Sequence, residues 1–117
     1  MNGDGWIGVN LDGTLAKYEG WQGDGHIGEP VPLMLARVKE WLAAGRSVRI
    51  VTARVSHQAG HANADRARNL IKEWCAKHLG VALVVTSEKD YSMIELWDDR
   101  AVQIEHNTGR RIDGRED

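Results

Sequence analysis

Apolar positions along this chain recur with two periods, and short runs alternate with longer ones. Residues 6–11 form a compact apolar run that predicts a first strand, and the glycine-rich stretch 19–28 has neither strand nor helix periodicity and reads as an exposed flap. Pro30 and Pro32 open a predicted helix on which Met34, Leu35, Val38, Trp41 and Leu42 share one face, with Gly45 as its left-handed stop. Residues 47–52 predict a second strand. A polar loop through Arg54, His57 and His61 leads into a second helix, where Ala67, Leu70, Ile71, Trp74, Cys75 and His78 line one face before Gly80. Residues 81–85 predict a fully apolar third strand, 94–97 a fourth and 102–104 a short fifth, followed by a turn at Asn107-Thr108-Gly109.

Strands alternating with helices imply right-handed βαβ units. The expected fold is therefore α/β, a Rossmann-like three-layer sandwich around a mostly parallel five-stranded sheet. With 117 residues the chain is one domain, 1–117, with 13–30 as flap and 107–117 as a terminal turn and charged tail. Fifteen basic and seventeen acidic residues leave a net charge of −2, so no overall field favours nucleic acid or an anionic membrane, and an anionic substrate must be gripped locally. Cys75 excludes an internal disulfide and, from its place on the helix face, reads as a core filler suited to a reducing compartment. No apolar run approaches the ~20 residues that span a bilayer, and the first residues lack signal-peptide character, so a cytoplasmic protein with no membrane partner is expected.

Ligands of such sheets bind beyond the carboxyl ends of the strands. Standing there are Asn10 and Asp12 after the first strand, Thr52 after the second and Asp98-Asp99 after the fourth, with Lys89 in the loop before it. Asn10 and Asp12, two apart, can enter one cleft, and Gly13 lets the chain turn sharply behind them. Acidic groups, a hydroxyl and an ammonium together suit a divalent cation beside a phosphoryl group.

These stretches, in this order, resemble the signatures of haloacid dehalogenase-like (HAD) phosphatases. Asn10-Leu11-Asp12-Gly13-Thr14 is similar to that family's Asp-x-Asp-Gly-Thr with its first Asp replaced; Ile50-Val51-Thr52, Lys89 and Leu96-Trp97-Asp98-Asp99 resemble the other three. The resemblance implies a capless HAD-like core and Mg²⁺-dependent phosphomonoester hydrolysis through an aspartyl-phosphate at position 10. By the same resemblance Asp12 is the general acid and base, and Thr52 and Lys89 hold the phosphoryl group. Asn10, Asp12, Asp98 and Asp99 surround Mg²⁺, Asp99 at one remove. Gly13 shapes the substrate loop, and Arg54 at the cleft edge contacts the substrate phosphate or leaving group. An open site suits a phosphorylated small molecule held by the flap, a phosphorylated nucleic-acid end, or closure by a neighbouring subunit in a homo-oligomer.

Asn10 interrupts this chemistry. An amide is a far poorer nucleophile than a carboxylate, so no aspartyl-phosphate forms there, and the metal site loses a negative charge. The preferred account is a disabled phosphatase whose Asp was replaced to trap substrate or probe mechanism; the alternative is a natural pseudo-phosphatase that binds phosphate or metal. A receiver-type signalling domain is disfavoured because the third predicted strand ends in Val85-Thr86-Ser87 rather than an acceptor Asp.

Weaker signals point elsewhere. Gly23-Asp24-Gly25-His26-Ile27-Gly28 matches G-x-G-x-x-G but neither follows a strand directly nor opens a helix. His57 and His61 have zinc-like spacing without a third ligand, and read as loop histidines. Trp21 and His26 read as flap packing rather than base stacking, and Arg110 and Arg111 as solvated.

Overall fold

Proline sets where the first helix begins and glycine where both helices end. The computed structural model describes residues 5–115. In chain order it contains β1 (Trp6–Asn10), α1 (Pro32–Ala43), β2 (Ser47–Val51), α2 (His61–Leu79), β3 (Val84–Thr86) and β4 (Met93–Trp97). Pro32 occupies the first turn of α1, where a missing N–H costs nothing. Beyond α1, Gly45 adopts φ 79°, which lets the Arg46 N–H turn back to the Trp41 carbonyl at 2.8 Å. Gly80, at φ 80°, closes α2 in the same way by donating to Ala76 at 3.1 Å.

The sheet is parallel throughout, in the order β3-β2-β1-β4. It has four strands, not five. Residues 102–104 belong instead to a terminal hairpin in which Ile104 makes an isolated antiparallel bridge to Arg111, with Glu105 N–H to Arg110 O at 2.7 Å and Ile112 N–H to Gln103 O at 3.0 Å. The anticipated turn causes this: Asn107 and Gly109 take positive φ, so the segment folds back and satisfies its backbone on itself rather than on β4. The third strand also starts later than its apolar run. Val81 and Ala82 are exposed after the Gly80 turn, and only Leu83 and Val85 reach the core.

Nor is the sandwich three-layered. Chain steps from β1 to β2 to β3 run in one direction across the sheet, and right-handed crossovers then put both helices on one face. Met34 and Val38 of α1 and Ala67, Ile71, Trp74 and Cys75 of α2 share one core with Ile7, Val9, Val48, Ile50 and Val85. The opposite face carries exposed Val84 and Leu96, with Ile94 also exposed beside it, because the return from β3 to β4 through residues 87–92 contains no helix.

Each fully buried side chain of this core, such as Ile50 or Ile71, contributes about 1.5–3 kcal/mol of transfer free energy. The two buried tryptophans both satisfy their N–H groups, Trp6 on Asp90 Oδ1 at 2.8 Å and Trp74 on the Gly28 carbonyl at 3.1 Å. The second of these pins the base of the flap. There Ala16 bridges Pro30 and the Lys17 N–H donates to Glu29 O at 2.8 Å, and a Cβ on Gly28 would stand 2.0 Å from the Lys17 carbonyl, so only glycine fits. No helix among the described residues is long and apolar enough to cross a membrane.

Candidate functional site

The order in which strands are added reverses at β1, with β2 and β3 on one side and β4 on the other, and a crevice opens beyond the carboxyl ends of β1 and β4. A cavity of about 740 Å³ lies there, and Asn10, Asp12, Thr52, Arg54, Asp98 and Asp99 all line it. Asn10 ends β1 and lines the cavity there. Thr52 is buried where β2 gives way to a 3-10 turn; its Oγ1 accepts the Arg54 N–H at 3.1 Å, which leaves its own proton to donate.

Asp12 and Arg54 form the strongest pair in the crevice. Arg54 Nε donates to Oδ2 and Nη2 to Oδ1, each at 2.8 Å, a two-pronged ion pair whose side chains are only 6% and 21% exposed. The same guanidinium donates to two flap carbonyls, His26 O at 3.0 Å and Asp24 O at 3.4 Å, and lies 4.8 Å from the Trp21 ring centroid. Arg54 thus ties the flap to the body of the domain through the carboxylate of Asp12.

At the β4 side Asp99 Oδ1 accepts from the Thr14 hydroxyl at 2.9 Å and from Asn10 Nδ2 at 3.1 Å, while the Asp99 N–H donates to Thr14 Oγ1 at 3.0 Å. Gly13, at φ 90°, stands on the other side of this carboxylate and outside the main cavity. A Cβ there would meet Asp99 Oδ2 at 2.5 Å, so its role is to admit Asp99. Asp98 Oδ1 accepts the Arg100 N–H at 2.8 Å.

Lys89 is exposed and does not line the cavity, although Ser87 and Glu88 of the same loop do. Between β3 and β4 the chain must cross three inter-strand gaps, about 14 Å, and it does so in the helix-free stretch 87–92, which ends in a turn where the Met93 N–H donates to Asp90 O at 3.2 Å. By Asp90 it has reached Trp6 and Arg49, whose donors bond its carboxylate at 2.8 and 3.3 Å, so Lys89 is carried off the rim.

Several wall residues escaped the sequence reading. Tyr18, Gln58 and Arg100 line the cavity, and Thr14 supports Asp99. Thr14 was in plain view, since it closes the Asn-Leu-Asp-Gly-Thr run; Tyr18, Gln58 and Arg100 lie in stretches without periodicity, where no local rule assigns a direction. His57 is in a 3-10 turn and His61 begins α2 after Gly60, so they do not share a helix face.

The donor set does not fit a divalent cation as it stands. Among the described residues no three His, Cys, Asp or Glu side chains are grouped to hold a metal ion. Asn10 directs an N–H, not an oxygen, at both the Asp12 carbonyl (2.7 Å) and Asp99. No protein-family model, curated protein or solved structure matches this chain.

Proposed function

We propose that the cavity binds a phosphate monoester on a HAD-like phosphatase scaffold whose transfer chemistry is disabled at Asn10. The observation that carries this reading is the meeting of Asn10, Asp12, Thr52, Arg54, Asp98 and Asp99, drawn from three strand ends, around one open crevice. Thr52 Oγ1 donates its free proton to a phosphoryl oxygen. Arg54 and Arg100 supply the positive charge that faces the cavity, a role the family resemblance gave to Lys89. With a carboxylate at position 10, its oxygen would attack phosphorus while Asp12, released from Arg54 and protonated from solvent, gives its proton to the leaving alkoxide; the Asp12 carboxylate would then take a proton from the water that attacks the aspartyl-phosphate, freeing phosphate and the position-10 carboxylate. The Asn10 amide has its lone pair delocalised and its Nδ2 occupied as a donor, so the first step does not occur. A phosphorylated small molecule or nucleic-acid end and a cytoplasmic setting remain part of this reading.

A second reading, a natural binding module, is favoured by the ion pair between Asp12 and Arg54, which gives Asp12 a structural use without catalysis. One experiment separates the two: Asn10→Asp assayed with Mg²⁺ on an aryl phosphate, nucleotides, sugar phosphates and phosphorylated oligonucleotide ends. Hydrolysis dependent on Asn10→Asp and lost again in Asn10→Asp/Asp12→Asn supports the phosphatase scaffold. No turnover on the whole panel supports the binding module.

A further inference from the structure

We infer that Asn10 closes this acidic end of the sheet by standing where a cation would otherwise be required, so that the chain as it exists folds without a divalent metal and binds none at this site. The inference rests on hydrogen-bond chemistry and not on what the cavity turns over. Asn10 Nδ2 lies 2.7 Å from the Asp12 carbonyl oxygen and 3.1 Å from Asp99 Oδ1. Both partners are acceptors only, which fixes the amide with its NH₂ group inward; the opposite flip would put three oxygens together. Each carboxylate nearby is already answered by protein donors. Asp12 has the Arg54 fork, Asp99 has the Thr14 hydroxyl and the Asn10 amide, and Asp98 has the Arg100 N–H.

Asn10→Asp exchanges the two-proton donor for an oxygen at nearly the same position. It leaves two oxygen–oxygen contacts without a proton and adds a negative charge beside Asp99. A positive ion in the gap or a proton shared by the two carboxylates relieves that arrangement, and well above the ordinary carboxylate range the ion does so, so a single isosteric change converts a metal-indifferent site into one that a metal stabilises.

The test is thermal unfolding of the full chain and of Asn10→Asp in EDTA and in millimolar magnesium chloride at matched ionic strength. The midpoint of the Asn10 chain is expected to be the same in both. Asn10→Asp is expected to melt roughly 8 °C or more lower in EDTA and to recover most of the loss with magnesium, or to fold only when magnesium is present. A midpoint for Asn10→Asp in EDTA equal to that of the Asn10 chain, or no folding in either buffer, overturns the inference. Titration of the Asn10 chain with Mn²⁺, followed by the resonance of the free ion, decides it independently of the variant. An undiminished signal supports the inference, and stoichiometric loss that Asp99→Asn abolishes overturns it. Because none of these readouts is turnover, a failure here leaves the proposed phosphatase scaffold to be judged by its own assay.

Discussion

Replacing Arg54 with alanine removes one side chain and five ties at once. The Asp12 carboxylate loses both prongs of its ion pair, the flap loses two carbonyl anchors, and Trp21 loses the cation beneath its ring. Breaking a fully buried pair from one side costs about 3–5 kcal/mol. Asp12 keeps 21% of its side chain exposed, so water recovers part of that, and about 2–3 kcal/mol is a fair magnitude for Arg54→Ala. At ~2.1 cal/mol/K per residue, the unfolding entropy of 117 residues is about 0.25 kcal/mol/K, which converts the loss into a midpoint roughly 8–12 °C lower. Arg54→Lys keeps a charge but not the planar fork and is expected to fall between the two. A double-mutant cycle with Asp12→Asn isolates the pair, and chymotrypsin cleavage after the exposed Tyr18 and Trp21 reports the flap, about tenfold faster for each 1.4 kcal/mol by which closure is weakened. Arg54→Ala with an unchanged midpoint and an unchanged cleavage rate would refute the claim that this guanidinium holds the flap to Asp12.

Other consequences are simpler to measure. Burial pushes the Cys75 thiol up to about 11, so alkylation at neutral pH is expected to proceed only as fast as the domain opens and to accelerate in denaturant; rapid labelling of the native protein would contradict the packing of α2. Asp90 is held below the usual carboxylate range, first by the Trp6 indole N–H and then by the Ser92 N–H and Arg49. A carboxylate depressed on folding contributes stability above its unfolded pKa, and that contribution fades as pH falls from about 4 through the lower folded value. Asp90→Asn should therefore flatten the acid limb of a stability-versus-pH curve while leaving its slope near neutrality unchanged.

Local rules were enough for much of this chain. Pro32, Gly45 and Gly80 mark helix ends because φ restrictions act within a residue or two, and the stripes from Met34 to Leu42 and from Ala67 to Cys75 mark core faces because a 3.6-residue period needs no partner to be read. Asn10, Asp12, Thr52, Asp98 and Asp99 were legible as strand-end residues, and a parallel sheet gathers strand ends on one side. Decisions made by non-local distances were not legible. Lys89 leaves the crevice because its loop runs from one edge strand of the sheet to the other, residues 102–104 fold onto their own turn instead of extending the sheet, and both helices settle on one face because all early crossovers step the same way. The bond that ties Arg54 to Asp12 belongs to the same class: 42 positions apart in the chain, the two meet only after β1 and β2 have paired. Periodicity specifies which way a side chain faces along its own element, whereas the partner it finds depends on the path of the whole backbone, and that path is set by sheet order and loop reach.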